Sequence, residues 1–511
     1  MPEPSQPAAS DAAGAAGGLR PVVASALVFG SSAAVLVVEL VSLRLLAPYL
    51  GLTLETTTLV IGTALAAIAL GSMWGGRAAD RTDPRRALGP LLGVSGAVVA
   101  AMPFLVRTVG SAGDPSITLL LAAVVIIVPG ALLSAVTPMV TKLVLSSLEE
   151  TGTVVGRLSG IGTVGAIAGT VLTGYVLVSL VPVSVILLGL GALLVLAGLL
   201  VEVDRRRWRR AAAGFGVVVA AGLASAVGPG SCDAETTYHC AQVEADPDRP
   251  GGRTLVLDNL RHSYVDLADP THLEFEYVRA VASVTDVAHP GSEPLVAYHL
   301  GGGGLTFPRY LDVTRPGSSS VVSEIDGGVV EVDRERLGLR TGEGIEVRVE
   351  DARLGLGRLD DASRDLVVGD AFGGVSVPWH LTTLEAVDEI ARVLTDDGVY
   401  VANLIDHTPL GFARAEVATL REAFDHVVVT APLVDLPVAA GGEGTGDGGN
   451  LVVAASDRPL DTATLAAGLT DRDLDWGVLA GDDALDAWLD GADVLTDDHA
   501  PVDQLLTPYA R

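Results

Sequence analysis

Residues 295–326 read LVAYHLGGGGLTFPRYLDVTRPGSSSVVSEID, and this stretch decides the fold of the second half of the chain. A helical pattern separates two apolar runs, and the second run ends in Glu324. The first run ends in four glycines, Gly301, Gly302, Gly303 and Gly304. This is the strand, glycine turn, helix, strand and acid order of a nucleotide-binding site, in which the acid holds ribose hydroxyls. No glycine closes the GxGxxG pattern, so a glycine-rich loop without a ligand is the alternative interpretation.

The charge of the chain is divided between its two halves. The whole chain of 511 residues has a formal net charge of −29. Residues 1–230 carry a net charge of +3, and residues 231–511 carry a net charge of −32. Strong acidity argues against a nucleic acid partner, because phosphates require cationic side chains. We interpret the acidity of the second half as surface solubility or as a means of attracting a cationic partner.

Seven apolar segments follow a tail of Pro, Ala, Ser and Gly at residues 1–20. Each is close to the roughly 20 residues that a helix needs to cross a bilayer. The seventh is the weakest prediction because it is rich in alanine and glycine. The sequence therefore predicts an all-α transmembrane bundle in contact with lipid over residues 21–229, with spans at residues 21–47, 57–76, 87–107, 116–139, 158–181, 183–202 and 211–229.

Basic residues in the connecting loops predict the orientation of the bundle. Arginines cluster after the second and sixth segments, and Lys142 and Arg157 lie between the fourth and fifth. Such loops stay in the cytoplasm. We therefore expect a multi-pass protein of the cell membrane with a cytoplasmic N-terminus, and seven crossings place the C-terminal domain outside the cytoplasm. If segment seven only lies on the membrane, that domain is cytoplasmic.

Two motifs within the bundle indicate its architecture. Gly165 and Gly169 are one helical turn apart, a spacing that lets two helices approach closely in lipid. Residues 75–86, GGRAADRTDPRR, resemble the loop between the second and third helices of major facilitator transporters. Seven spans fall short of the twelve of such a carrier, so the resemblance is to half of a transporter bundle and a complete transport function is not expected.

The two cysteines, Cys232 and Cys240, follow the last apolar segment. A disulfide between them requires an oxidising compartment, and two free thiols are equally compatible with the sequence. No CxxC pattern and no histidine cluster accompanies them, so we predict no metal site.

Beyond residue 230 the hydrophobic period changes from that of helices to that of strands. Residues 253–267 predict a β-hairpin turning at Asp258 and Asn259, within a linker and hairpin region at residues 230–290. Residues 291–511 then alternate apolar runs with helical patterns, which predicts an α/β domain with a largely parallel sheet covered on both faces. The apolar runs lie at residues 295–300, 321–325, 345–349, 366–369, 398–405, 426–430 and 450–455, and the helical patterns at 307–313, 328–336, 383–394 and 409–423.

Acidic residues follow successive predicted strands. Glu324, Asp351 and Asp370 lie at the ends of the second, third and fourth apolar runs, and ligands of such sheets bind beyond the carboxyl ends of the strands. Glu324 suits a ribose diol, and Asp351 suits an adenine amino group. Asp370 faces the expected substrate position, where it would accept a proton from an attacking amine. A helix cap is the alternative role for any one of these acids.

Residues 254–405 resemble the spermidine synthase family of aminopropyltransferases, and the whole chain is similar to its membrane-fused form. The resemblance implies a methyltransferase-like, Rossmann-like fold. It also implies that Gly301–Gly304, Glu324 and Asp351 bind decarboxylated S-adenosylmethionine, with S-adenosylmethionine as the variant. Asp370 aligns with the general base of the family. Tyr277 in LEFEYVRA aligns with the tyrosine of a Tyr-His pair that serves the amine substrate, putrescine.

The chain departs from the family on the amine side. Val278 replaces the histidine of the pair, and the second aspartate that follows the base is absent, since Asp370 is followed by Ala371 and Phe372. Loss of a buried charge partner costs on the order of a few kcal/mol in cation binding. The candidates to replace it, or else to cap a helix at residues 500–506, are Asp497 and Asp498.

Two functions follow from these observations. The first is a membrane-anchored aminopropyltransferase that acts on a small cationic amine. The second is a transport-coupled protein whose degenerate domain binds a polyamine or nucleoside without catalysis. The cosubstrate of the enzyme is made in the cytoplasm, which conflicts with the predicted topology. The sequence leaves both a monomer and a homodimer open.

Overall fold

The computed structural model describes residues 19–50, 54–110, 115–145, 151–202, 216, 218–222, 224, 232–258, 260–342, 344–372, 374, 376–437, 441–442 and 444–507. The chain divides into two compact units, Met1–Ser231 and Cys232–Arg511. Each unit is described by itself below. Residues 1–18 of the tail, which the sequence predicts to be disordered, lie outside the described residues.

The first unit is largely helical in its described parts, as its long apolar segments predict. Six of its helical segments are long and apolar enough to be candidate membrane spans. A π-helical turn, Thr173–Leu177, continues the sixth helix of the chain. The helices are α1 (Pro21–Leu50), α2 (Leu54–Arg81), α3 (Pro84–Gly110), α4 (Pro115–Ser134), α5 (Val136–Val144), α6 (Thr151–Leu172), α7 (Val178–Leu180) and α8 (Val183–Val201).

The seventh predicted segment lies largely outside the described residues. Residues 218–222 are helical, and Val218 and Ala221 share an apolar cluster with Ala100 of α3 and Val195 of α8. This short piece therefore packs within the first unit, while a seventh crossing stays a prediction.

Small residues allow the helices of the first unit to approach closely, as predicted for Gly165 and Gly169. A Cβ atom at Gly165 would overlap the carbonyl oxygen of Phe29, and one at Gly169 would overlap that of Ala33. Helices α1 and α6 therefore pack backbone to backbone along this face, which confirms the architectural role of the two glycines.

The second unit begins with a four-stranded antiparallel sheet in the order β1-β2-β3-β4. The predicted hairpin forms its β3–β4 pair, and Asp258 takes the left-handed conformation that the tight turn needs (φ 59°). A disulfide joins Cys232 to Cys240 across the start of this sheet. The strands are β1 (Ala234–Glu235), β2 (Cys240–Ala245), β3 (Gly252–Leu257) and β4 (Leu260–Asp266).

The main sheet of the second unit has eight strands in the order β12-β10-β11-β9-β8-β5-β6-β7. Strands β5 to β9 are parallel, whereas β10, β11 and β12 pair in antiparallel fashion. The prediction of a parallel sheet thus holds for β5 to β9. It did not include the antiparallel pairing of β10 and β11, and it did not include strand β12. The strands are β5 (Val296–Leu300), β6 (Ser319–Glu324), β7 (Ile345–Val349), β8 (Arg364–Gly369), β9 (Leu394–His407), β10 (His426–Pro432), β11 (Gly448–Ser456) and β12 (Trp476–Ala480).

Helices cover both faces of this sheet, as the continuous apolar runs predicted. Along β8, Val367 faces one apolar core, and Leu366 and Val368 face the other, because side chains alternate along a strand. The first core includes Phe412, and the second includes Val281. The helices are α9 (Glu276–Ala288), α10 (Thr306–Thr314), α11 (Gly327–Arg336), α12 (Ala352–Leu356), α13 (Leu384–Val393), α14 (Gly411–Ala423), α15 (Thr462–Asp471), α16 (Asp482–Leu489) and α17 (Val502–Leu505).

Candidate functional site

A cavity of about 690 Å³ lies at the carboxyl ends of the parallel strands. Its size is typical of a pocket for a drug-sized ligand. Residues after β5, β6, β7 and β8 line it, together with residues of the small sheet and of the start of α9. The structure therefore brings these sequence-predicted site residues to one cavity: Gly301, Gly302, Gly303, Glu324, Asp351, Asp370 and Tyr277.

The glycine loop and Glu324 form one hydrogen-bonded unit. The Oε2 atom of Glu324 accepts from the backbone N–H of Gly302 at 2.9 Å and from that of Gly303 at 3.3 Å. Its Oε1 atom accepts from the N–H of Asp326 at 2.9 Å. Burial raises the pKa of Glu324 above its usual value, and these three amide donors act in the opposite direction. The cavity is thereby lined at this point by the Glu324 carboxylate and by glycine backbone that carries no side chains.

Only glycine fits at position 301. Its backbone has φ +93°, and a Cβ atom there would overlap the carbonyl oxygen of Asp370. The close approach exists because the N–H of Asp370 donates to the carbonyl of Leu300, which keeps the ends of β5 and β8 side by side. The glycine loop and the candidate base are thus held in direct contact.

The small sheet closes the nucleotide end of the cavity. The hydroxyl of Ser263 on β4 accepts from the N–H of Gly304 at 2.9 Å. Asp326, which caps α11, accepts from the hydroxyl of Thr236 and, at 3.0 Å, from the N–H of Tyr238. These contacts fix the small sheet on the glycine loop, a relationship that the sequence did not predict.

Asp351 has two functions in the structure. Its Oδ1 atom caps α12 by accepting from the N–H groups of Arg353 and Leu354. Its Oδ2 atom lies 2.9 Å from Nε2 of His380, which also lines the cavity. Asp351 is therefore a helix cap, as the alternative interpretation proposed, and it also lines the cavity.

Asp370 is held by two neutral donors. The hydroxyl of Tyr277 donates to Oδ2 at 3.1 Å, and Nδ2 of Asn403 donates to Oδ1 at 2.9 Å. Burial raises the pKa of Asp370 to about 6, and the bonds from Asn403 and Tyr277 counteract part of this rise. A carboxylate with this pKa is ionised at neutral pH and retains more basicity than an exposed aspartate. It is suited to accept a proton.

The amine side of the cavity contains acids that the sequence analysis did not select. Glu274 and Glu276 line it beside Tyr277. The Oε2 atom of Glu276 accepts from the indole N–H of Trp476 at 3.1 Å. Val278, which stands where the family has histidine, is buried in an apolar core. The signal for the two glutamates was their spacing around Phe275 in LEFEYVRA, immediately before the predicted tyrosine.

Asp497 and Asp498 are not among the described residues that line the cavity. Both carboxylate oxygens of Asp497 accept from the guanidinium of Arg353, at 2.7 and 2.6 Å, and the hydroxyl of Thr383 donates to it at 2.8 Å. The structure thus corrects the suggestion that Asp497 replaces the missing aspartate, because its charge is already paired. Helix α17 begins at Val502, so the two acids do not cap it either.

Asn403 and Asn450 are further polar residues of the cavity that the sequence analysis missed. Asn403 is a buried polar residue within the apolar run of β9. A polar residue in such a run is the sequence feature that could have indicated a role in the site. His239 and His262 of the small sheet also line the cavity. Among the described residues, no group of three or more potential ligands is placed to hold a metal ion.

Comparison with known proteins points to one family for the second unit. A polyamine aminopropyltransferase from Vibrio vulnificus is 31% identical over 152 residues, which cover 29% of this chain and 49% of that protein. One from Chromobacterium violaceum is 30% identical over 142 residues, which cover 28% of this chain and 53% of that protein. The second unit contains a spermidine synthase-like domain. The chain spans about half the length of these curated relatives.

A probable spermidine synthase from Corynebacterium glutamicum is 30% identical, and the match covers 52% of this chain and 95% of that one at a TM-score of 0.47. No protein-family model matches the chain. The cavity described above lies within the spermidine synthase-like domain and the small sheet that precedes it.

Proposed function

We propose that the spermidine synthase-like domain transfers an aminopropyl group from decarboxylated S-adenosylmethionine to putrescine or a related amine. The observation that carries this proposal is the position of Asp370. It lies at the end of β8, in contact with the glycine loop on one side and with Tyr277 on the other. A general base between a nucleoside site and an amine site is what this transfer requires.

The donor would bind at the glycine loop. Glu324 retains lone pairs for ribose hydroxyls beyond those that accept from the loop amides. Asp351 would contact the adenine amino group through Oδ2, the oxygen that also faces His380. Both acids line the same cavity, at the ends of the neighbouring parallel strands β6 and β7.

The reaction is a single displacement. The lone pair of the amine nitrogen attacks the aminopropyl carbon bound to the sulfonium. The new C–N bond forms as the C–S bond breaks, and methylthioadenosine leaves with the electron pair. The proton lost by the nitrogen passes to Asp370 and from there to solvent. Tyr277 and Asn403 hold the carboxylate oxygens in place, so the base requires little reorganisation during the step.

Glu274 and Glu276 would attract the cationic amine in place of the absent second aspartate. Both side chains are exposed, and both line the cavity next to Tyr277. Trp476 holds Glu276 through its indole N–H and adds an apolar surface for a methylene chain. The acceptor class that this wall favours is therefore a small amine with a second positive charge.

The remaining parts of the proposal concern location. We propose that the first unit anchors the protein in the cell membrane and that the spermidine synthase-like domain lies outside the cytoplasm, where the reaction depends on a donor supplied across the membrane from the cytoplasm. The Cys232–Cys240 disulfide supports a location outside the cytoplasm, since disulfides persist in oxidising compartments. Maleimide labelling of intact cells tests it. The cysteines should react only after an added reductant, and labelling that requires membrane permeabilisation would place the domain in the cytoplasm.

The enzymatic proposal is tested with full-length protein in nanodiscs. Putrescine and decarboxylated S-adenosylmethionine should yield methylthioadenosine, and Asp370→Asn should reduce the rate at least 100-fold, the lower range for loss of a general base. Asp361→Asn, which removes an exposed carboxylate paired with Arg392, is the matched control and should retain full activity. Binding of putrescine without turnover by the wild type would instead support a non-catalytic, transport-coupled protein.

A further inference from the structure

Three polar side chains form a continuous chain of hydrogen bonds across the main sheet. Asn450 on β11 donates from Nδ2 to Oδ1 of Asn403 on β9 at 2.9 Å. Asn403 in turn donates from Nδ2 to Oδ1 of Asp370, which follows β8, at 2.9 Å. Strands β8, β9 and β11 are neighbours in the sheet. The chain of bonds therefore extends from the parallel part of the sheet into its antiparallel edge.

The orientation of the Asn403 amide decides whether it helps or opposes the carboxylate of Asp370. The two ends of an amide have similar shape, but one end donates hydrogen bonds and the other accepts them. With its NH₂ group toward Asp370, Asn403 stabilises the ionised carboxylate. In the reversed orientation its oxygen would face a carboxylate oxygen. Asn403 is buried, so water is poorly placed to correct a reversed amide.

Asn450 reinforces the first orientation, which the carboxylate of Asp370, an acceptor, already favours. Its NH₂ group needs an acceptor, and the far end of Asn403 supplies one only when the oxygen of Asn403 points toward Asn450. In that orientation the NH₂ group of Asn403 points toward Asp370. Asn450 does not itself contact Asp370 through a hydrogen bond in the described structure, so its effect on the base passes through Asn403.

We propose that Asn450 is a positioning residue that orients Asn403 and thereby keeps Asp370 in its ionised, hydrogen-bonded form for the transfer reaction. This inference rests on the proposed function. The other titratable group in contact with Asp370 is Tyr277 of α9. The further titratable or charged groups that line the same cavity are His239, Arg261, His262, Glu274, Glu276, Glu324, Asp351, His380 and His407. None of them is hydrogen-bonded to Asp370 in the described part of the chain.

The experiment compares variants of the full-length protein in nanodiscs by two readouts. The first is the pH profile of methylthioadenosine release. The second is an infrared titration of the Asp370 carboxyl, obtained as a difference from Asp370→Asn, which needs no turnover. The test variants are Asn450→Ala, which removes the donor, and Asn450→Asp, which replaces the NH₂ group by an acceptor and should reverse the Asn403 amide.

The matched control is Thr430→Val. Thr430 is buried on the neighbouring strand β10, and its hydroxyl donates to the carbonyl of Val452 on β11. The change therefore removes a polar contact of β11 that is not part of the Asn450–Asn403–Asp370 chain of hydrogen bonds. Loss of thermal stability without a change in the carboxyl midpoint is expected for Thr430→Val. This separates a general weakening of the sheet from an effect on the base.

We expect both Asn450 variants to shift the infrared midpoint and the acidic limb of the pH profile to higher pH. The shift should be about one pH unit for Asn450→Asp, the equivalent of one lost hydrogen bond to a charged group, and smaller for Asn450→Ala. Turnover with an unchanged midpoint in Asn450→Ala would overturn the inference and leave the proposed function supported. A shift in Asn450→Asp alone does not rescue the inference, because the added negative charge raises the pKa of a nearby carboxyl group by itself. If the wild-type protein shows no turnover but the Asn450 variants still shift the infrared midpoint of Asp370, the effect of Asn450 on Asp370 is supported and the proposed function is overturned.

Discussion

The hydroxyl of Tyr277 donates a hydrogen bond to Oδ2 of Asp370 at 3.1 Å, although 93 positions separate the two residues in the sequence. Tyr277 lies in the first turn of α9, and Asp370 follows β8. Burial and the Asp370 charge raise the pKa of Tyr277 well above its usual value, so the phenol stays a donor over the physiological pH range. The contact joins the amine side of the cavity to the candidate base.

Removing this donor should change the pH dependence of the reaction. In Tyr277→Phe the carboxylate loses one of the two bonds that favour its charged form, so the pKa of Asp370 should rise from about 6. The acidic limb of the rate profile should move to higher pH by about one unit. Tyr310→Phe is the control, since its hydroxyl contacts Arg472 rather than the cavity. An unmoved limb in Tyr277→Phe would contradict the prediction.

Asp370 should also make the folded state sensitive to pH. Its pKa is about 6 in the folded chain against 3.8 for the free group, so the folded state binds this proton more tightly. Stability should therefore fall as pH rises from about 4 to about 6, and Asp370→Asn should remove a penalty of at most about 3 kcal/mol above that range. Thermal unfolding at pH 4 and pH 8 checks this. Stabilisation by Asp370→Asn should appear at pH 8 alone.

Gly301→Ala should damage the site more than an equivalent change elsewhere. The new methyl group would overlap the carbonyl oxygen of Asp370 and would also occupy a backbone with φ +93°. Gly291→Ala is a matched control, because Gly291 has φ +96° and nothing within 4 Å of a Cβ position. The control should lose about 1–3 kcal/mol through backbone strain alone. Calorimetry should show a larger loss for Gly301→Ala, together with loss of donor binding.

Glu276→Gln tests the amine side. The substitution keeps an oxygen that can accept from the indole of Trp476, but it removes the negative charge. The KM for putrescine should rise about two- to fivefold, in line with about 0.5–1 kcal/mol for an exposed charge contact, while the KM for the donor stays constant. Glu422→Gln, a change on α14, is the control. An equal rise in both KM values would indicate a structural defect instead.

Several features of the protein follow from local sequence patterns. The lengths of the apolar segments predict membrane-spanning helices, and alternation of strand and helix patterns predicts the α/β unit. The glycine run before α10 and the acids after β6, β7 and β8 predict a cavity rim, because parallel strands end at one edge of a sheet. These patterns need no knowledge of which distant segments meet, since hydrophobic period and backbone freedom are properties of neighbouring residues.

The chain alone could not select hydrogen-bond partners across the sheet. Strand order brings Asn450 next to Asn403, and helix packing brings Tyr277 to Asp370. The same packing pairs Asp497 with Arg353, so an acid that looked available for an amine is already neutralised. Which side chains form hydrogen bonds or ion pairs with each other depends on which segments lie close together in the folded core. The apolar helices that are candidate membrane spans, and the glycines and acids at the strand ends, therefore follow from the sequence alone. Which side chains hold Asp370, and which acids line the cavity, depends on tertiary contacts between segments that are distant in the sequence.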